Sequence, residues 1–492
     1  MSEQTKTAEN GALQKRYVGI KETLIYGIAN GGQCIGYNMV RGQLQVYLMT
    51  VCKIDWKVIF TMTLVMGIWD AFNDPLMGTV VDRTRTRYGK LRPYLMGVPI
   101  PLGIATALFF GGAELFKFLP QLADTKMWYL FITYFVWEFF YTIGDIPFWG
   151  LSAAVSPNPL DRSRVIKSAR LVSGIVGGLP GMIFPIFIDL SNKGVIPFSL
   201  SQLFLVLGII AGSIGMFLFS LSGFCVKERV VQNSQEPSII DCFKYMFKNK
   251  HLMLIVLASI IGTVEGIAGS YSQYFYPVSL GMASLSLVAG IPGTVTNWLT
   301  FGFMSKLEKK YSSKKIIIGN AFMKAGIAVI IFLLGSRHYT NAKVIVPLMA
   351  IYGVFTSIGY AISAVIPTKM IGETVDYMEW KTGERSEGMA FSLLTFISKL
   401  TGSLSTSVSV AIAPLIGLEN VNDQLQLVEN SGINTRFWLW GCVTAIPAVL
   451  GLLALIPYKF YDLEGKKLEM VQSEIRARRE ELAQKVSMKE EI

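Results

Sequence analysis

Residues 56–94 read WKVIFTMTLVMGIWDAFNDPLMGTVVDRTRTRYGKLRPY. The part 56–81 is long and apolar enough to cross a hydrocarbon core, which needs about 20 residues. The chain then turns polar, with Arg at 83, 85 and 87. Within the apolar part stand Asp70, Asn73 and Asp74. Positions i, i+3 and i+4 share one face of a helix, so these three point the same way. Two carboxylates and an amide oxygen are hard ligands suited to a small alkali cation. Two close carboxylates also repel each other, which makes a proton the other natural occupant. The reading that needs no ligand is neutralisation by a neighbouring Arg or Lys.

The rest of the chain has the same character. Of 492 residues, 52% are hydrophobic and 16% charged, against roughly 25% charged in a soluble chain. Mean hydropathy is positive. Apolar stretches of spanning length recur near 23–49, 56–81, 93–116, 127–155, 167–189, 200–226, 251–278, 284–305, 316–336, 343–366, 389–416 and 434–458. The prediction is an all-α polytopic protein of twelve transmembrane helices within a lipid bilayer. Five cysteines without CxxC spacing read as free thiols.

A net charge of +11 would suit nucleic acid, but its placement excludes that partner. With the N-terminus inside, the inner loops 82–92, 156–170, 227–250, 306–315 and 367–388 hold 22 basic residues, against 8 in the outer loops. That asymmetry is a topology signal and places both termini in the cytoplasm. The first 20 residues are polar and lack a cleavable-signal pattern. The longest polar break, 227–250, divides six spans from six. The expected organisation is a bundle over 1–226, a middle loop over 227–250, a second bundle over 251–458 and a cytoplasmic tail over 459–492. A bundle of six plus six with a site near the midplane is a transporter layout.

Ionisable groups at membrane depth are costly and commonly functional. In the span 127–155, Thr142, Asp145 and Trp149 fall one turn apart. A carboxylate accepts hydroxyl hydrogen bonds and an indole covers the apolar face of a pyranose, so this pair suits a sugar. Thr395 and Lys399 are one turn apart in the span 389–416, and Arg170 opens the span 167–189. Arg41 lies deep in the first span. Its guanidinium either pairs internally with Asp70, Asp74, Asp145 or Glu138, or reads the carboxylate of a solute. Glu114, Asp189 and Lys324 are either functional or end groups reaching the interface.

The strings DAFNDPLMG at 70–78, DRTRTRYGKLRPY at 82–94, TIGDIPFW at 142–149 and VDYMEWKTGERSEG at 375–388 together resemble the glycoside–pentoside–hexuronide:cation symporter family of the major facilitator fold. The resemblance implies a coupling cation at Asp70, Asn73, Asp74 and Thr142. It implies a sugar at or beside Asp145, Trp149, Arg170, Thr395 and Lys399. It implies an inner-face ion-pair network of Asp82, Arg83, Glu373, Asp376, Arg385 and Glu387. Melibiose-type members carry a sugar-binding Asp in the first span, preceded by Lys. Here Cys34 and Gln33 stand at those places and Arg41 is added, so an acidic sugar gains ground over a galactoside.

The expectation is a secondary transporter, acting as a monomer in a bacterial inner membrane, that moves a sugar, glycoside or hexuronide with Na⁺ or H⁺ and needs no cofactor. Neutral oxygens beside the two carboxylates favour Na⁺. A facilitator or exporter of another organic anion on the same fold is the alternative. A membrane enzyme lacks support, because the two histidines, His251 and His338, sit at span ends. ATP is not the energy source, since no GxxxxGK[ST] loop is present.

Overall fold

The computed structural model describes residues 16–230, 239–383, 387–422, 424–427, 434–475 and 477–478. The described residues fold as helices, with no β-strand longer than an isolated bridge. They group into two compact units, one of residues 1–236 with 419–429, the other of 237–418 with 430–492.

In the first unit, α1 spans Ile20–Gln45 and runs into the π-helical turn Val46–Val51. It is followed by α2 (Trp56–Arg83), α3 (Pro99–Phe118) and α4 (Lys126–Ala154). Next come α5 (Pro159–Val176) and α6 (Leu179–Asn192), a span broken at Gly177 and Gly178. The π-helical segment Ala211–Gly215 joins α7 (Leu200–Ile210) to α8 (Met216–Cys225). Glycine allows the close approaches: a Cβ at Gly32 of α1 would lie 2.4 Å from the Gly215 carbonyl, and one at Gly27 would lie 2.6 Å from Ser168 Oγ. Small residues at such crossings let membrane helices pack backbone to backbone. Asn192 of α6 donates to the Gln424 carbonyl at 3.0 Å, which ties the segment 419–429 to this unit.

The second unit contains α9 (Ile239–Lys248), α10 (Lys250–Gly262), α11 (Ile267–Leu280), α12 (Leu285–Lys310) and α13 (Ser313–Gly335). It continues with α14 (Ala342–Thr382), α15 (Glu387–Ile412), α16 (Thr435–Val443), α17 (Ala445–Gly451) and α18 (Leu455–Lys459). Asp462, just past α18, receives a hydrogen bond from Lys467 at 2.8 Å and lies 2.5 Å from His251. These two partners hold its carboxyl well below the usual carboxylate range.

Seven of these helical stretches are long and apolar enough to cross a membrane, and the pair α16–α17, bent by 42° and continuing to Lys459, makes an eighth. α1, α2, α4 and α12 fall short of that mark, and the first three carry Arg41, Asp70, Asn73, Asp74, Thr142 and Asp145. Expected inner loops prove partly helical: 156–170 is helical from Pro159, and 227–250 over Ile239–Lys248. The inner loop placed at 367–388 is helical as far as Thr382, because Met370, Ile371, Val375 and Met378 are core residues that keep a helical face buried. Gly383 ends α14 in the left-handed conformation at φ +78°, where glycine carries no Cβ penalty.

Cys34, Cys52, Cys225 and Cys442 are free thiols. Glu114 pairs with Lys117 at 2.9 Å, and Lys324 with Glu265.

Candidate functional site

The site is built along the seam between α1 and α4. Three levels of contact join the two helices: Arg41 to Glu138, Gln33 to Asp145, and Tyr26 to the Phe148 carbonyl. Positions fall along α1 as they rise along α4, as antiparallel neighbours require. With a rise of 1.5 Å per residue, Glu138 and Asp145 stand about 10 Å apart along the axis. One seam therefore carries two separate polar clusters.

Arg41 organises the first cluster. Its Nη2 donates to Asp70 Oδ2 at 2.7 Å, and its Nε approaches Glu138 Oε1 at 2.6 Å as an ion pair. The Nε–H is not aligned on that oxygen, so this contact is electrostatic more than a directed hydrogen bond. The guanidinium also lies 5.9 Å from the centre of the Tyr134 ring. The side chains of Asp70 and Glu138 are 7% and 1% exposed, so both charges are withdrawn from water. Charges buried in this way are retained only when paired.

Asp74 and Thr142 come one turn after Asp70 and Glu138 on their helices. Because one span separates α2 from α4, the two run in the same direction, which puts Asp74 and Thr142 at one level, about 6 Å past the arginine bridge. Asn73 and Thr142 are buried. Among the described residues, Thr142 Oγ1 and Asp70 Oδ1 have no hydrogen-bond partner. Leaving a buried polar atom unmatched costs about 1–3 kcal/mol, so these oxygens keep acceptor capacity for a ligand.

The second cluster is centred on Asp145, whose Oδ1 accepts from Gln33 Nε2 at 2.7 Å. Arg170 of α5 stands with its Cζ 4.8 Å from the centre of the Trp149 ring, in cation–π geometry. Cys34 is partly buried and packed against the break in the α5–α6 span, where a Cβ at Gly177 would lie 2.5 Å from its own Cβ. Asn38 donates to the Gly177 carbonyl at 2.7 Å, satisfying backbone freed by that break.

The expected residues are thus sorted into groups. Asp70, Asn73, Asp74 and Thr142 lie on α2 and α4, and Arg41, set among the solute residues by the sequence, is seated in their carboxylate cluster. Asp145, Trp149, Arg170 and Cys34 gather at the second cluster. Lys399 is partly buried on α15 in the second unit. Thr395 lies on the same helix, and its side chain is outside the described residues, as are those of Asp82 and Glu387. Arg385 is also outside the described residues. Arg83 is exposed at the end of α2 and Asp376 is partly buried. Glu373 is buried and accepts from Ser313 Oγ at 3.1 Å, while nearby Lys369 pairs with Glu308 at 3.5 Å.

Sequence reasoning left two functional-looking acids outside the site. Glu138 was read with Thr142, Asp145 and Trp149 in the span 127–155 and as one of four possible partners for Arg41, but was given no place in the site. Glu265 went unnoticed, although a lone acid inside IVLASIIGTVEGIAGS, 255–270, is a readable signal.

The MFS/sugar transport protein family matches residues 25–465. The chain belongs to this family. It is 29% identical over 458 residues to the uncharacterized symporter YnaJ of Bacillus subtilis, covering 90% of this chain and 92% of the relative. It is 27% identical over 448 residues to the glucuronide carrier protein homolog of Escherichia coli, again covering 90% and 92%. Among solved structures, a D-xylose-proton symporter superposes with a TM-score of 0.57 at 15% identity, covering 90% of this chain and 98% of that one. The likeness shows the fold, an all-α major facilitator bundle. The chain is a multi-pass membrane protein and a transporter, not an enzyme.

Proposed function

We propose that the first unit carries both cargoes, the cation at Asp70, Asn73, Asp74 and Thr142, and the solute at Asp145, Trp149 and Arg170. The protein is a secondary active transporter that moves a sugar together with a cation. The observation that carries the assignment is the pair of polar clusters on one seam, about 10 Å apart, the first of which holds buried, unmatched oxygens. A small ion fits a cluster of carboxylate, amide and hydroxyl oxygens. A pyranose needs the ring face and the hydroxyl acceptors of the second cluster. The basic inner loops support cytoplasmic termini, and since both clusters are built by a single chain, the monomer is the working unit.

Asp145→Asn tests the solute assignment. It keeps the shape but loses a charged acceptor already oriented by Gln33. Loss of one such bond costs about 1–3 kcal/mol, so sugar affinity should fall about tenfold while cation affinity changes less. Equal loss of both in calorimetry would move Asp145 into the cation site.

The ion is Na⁺ in this reading, because the neutral oxygens of Asn73 and Thr142 serve a metal ion and are superfluous for a proton. Uptake at fixed pH should therefore rise with external Na⁺ and survive a protonophore while the Na⁺ gradient is held. Indifference to Na⁺ with collapse under the protonophore assigns H⁺ instead.

A sugar acid is the second reading, supported by Arg170 at the Trp149 ring and by the relative named as a glucuronide carrier homolog. Arg170→Gln should then weaken a uronate far more than its neutral parent sugar. Equal effects on the two would remove the acid-sugar reading.

A further inference from the structure

The second unit contains a cavity of about 500 Å³ that the two clusters above do not involve. Its size falls within the roughly 300–1,000 Å³ typical of small-molecule sites. At its wall, Lys324 of α13 pairs with Glu265, which sits in the 3₁₀ turn Thr263–Gly266 between α10 and α11.

Both charged side chains have room made for them. A Cβ at Gly359 would lie 2.6 Å from Lys324 Cδ, and one at Gly451 would lie 2.5 Å from Glu265 Oε1. Two different helices thus give up side chains where the ion pair runs.

Two spans are irregular beside this cavity. The α10–α11 span is interrupted at Glu265 itself. The α16–α17 span breaks at Thr444, where φ is −123° and ψ −93°, between the cavity-lining residues Val443 and Pro447. Tyr352, also on the wall, reaches the Thr444 carbonyl at 3.4 Å. Non-helical backbone at membrane depth is tolerated where it is buried in protein or lines a polar cavity, and broken helices mark binding sites in transporters.

The chemistry of the wall selects the ligand. Glu265 and Lys324 cancel in charge, so neither an anion nor a cation finds an unopposed partner. An ammonium has three donors and a carboxylate about four acceptor positions, so each keeps capacity after bonding the other. Ser272, Tyr276 and Tyr360 add hydroxyls and ring faces to the wall. A ligand that both donates and accepts, carries no charge and has apolar C–H faces is a neutral monosaccharide.

We infer that the cavity framed by Glu265, Lys324, Ser272 and Tyr352 is a second saccharide site, contained in the second unit and selective for neutral sugars. It stands independently of the assignments made in the first unit.

Calorimetry on the full-length protein in lipid nanodiscs tests this, with D-glucose, D-galactose, D-xylose and D-glucuronate as probes. With Asp145→Asn weakening the first-unit solute cluster, at least one neutral probe should still bind with an affinity that this change leaves unaltered, and more tightly than glucuronate. Adding Glu265→Gln should weaken that remaining binding about tenfold, the scale of one charged hydrogen bond. Adding Ser272→Trp, which fills the cavity, should remove it. The Gln variant keeps size and shape, so it serves even where the Trp variant fails to fold. The site is overturned if Asp145→Asn alone abolishes all neutral-sugar binding, if the remaining binding is unchanged by Glu265→Gln, or if wild type binds none of the neutral probes. Should Asp145→Asn change nothing while Ser272→Trp removes all binding, the first-unit assignment fails and this one holds.

Discussion

Asp74→Cys should abolish cation-driven accumulation in energised vesicles, bringing the internal-to-external ratio of solute to about one, while downhill exchange persists at least in part. Asp70→Cys should do the same. A gradient drives transport only through differential binding of the ion, so a carrier that has lost its ion ligands retains binding of the solute but not the coupling. The two variants differ informatively. Asp70 accepts from Arg41 at 2.7 Å, so its loss also alters the ion-pair cluster. Even then Arg41 keeps Glu138, a balanced pair, and the protein should fold. Asp74 follows Asp70 by one turn of α2, and its replacement tests the second carboxylate of the cluster. Accumulation that persists in both variants, measured with labelled solute, would refute the cation assignment.

Arg41→Gln should be the most destabilising single change in the first unit. It leaves Asp70 and Glu138 buried without their shared cation, and breaking a buried pair by removing one partner costs about 3–5 kcal/mol. The expected signature is a lower unfolding temperature and loss of coupling. Adding Glu138→Gln removes one of the stranded charges and should recover most of the stability, a coupling between neighbours that independent sites would not show. The same variant decides what Arg41 is for. With Nη2 on Asp70 and Nε on Glu138, it should affect a uronate and its neutral parent sugar alike. Selective loss of the uronate would return Arg41 to the solute site.

The physical contrast between Arg41 and its neighbours shows where reading from sequence stops. Helix membership, the helical character of the twelve stretches and the common face of Asp70, Asn73 and Asp74 follow from local composition and a period of 3.6 residues. These depend on residues within a turn or two of each other, and the helices observed lie where such patterns put them. The extension of α14 to Thr382 was missed because its later turns are amphipathic: their charged side reads as a loop, whereas Met370, Ile371, Val375 and Met378 hold them to the core.

The partners of charged groups were legible only as sets. Sequence supplied Arg41 with four possible acids, and only the antiparallel packing of α1 against α4, beside α2, brought Asp70 and Glu138 against it. The same packing gave Asp145 to Gln33, and that of α5 beside α4 set Arg170 over Trp149. In the second unit it joined Lys324 to Glu265 across 59 positions of sequence. Sequence thus determined that charges are buried in the spans and that they require partners, because the cost of desolvation is a property of each residue and its apolar flanks. Which charge meets which is a property of helices distant in the chain, and only the tertiary structure decided it.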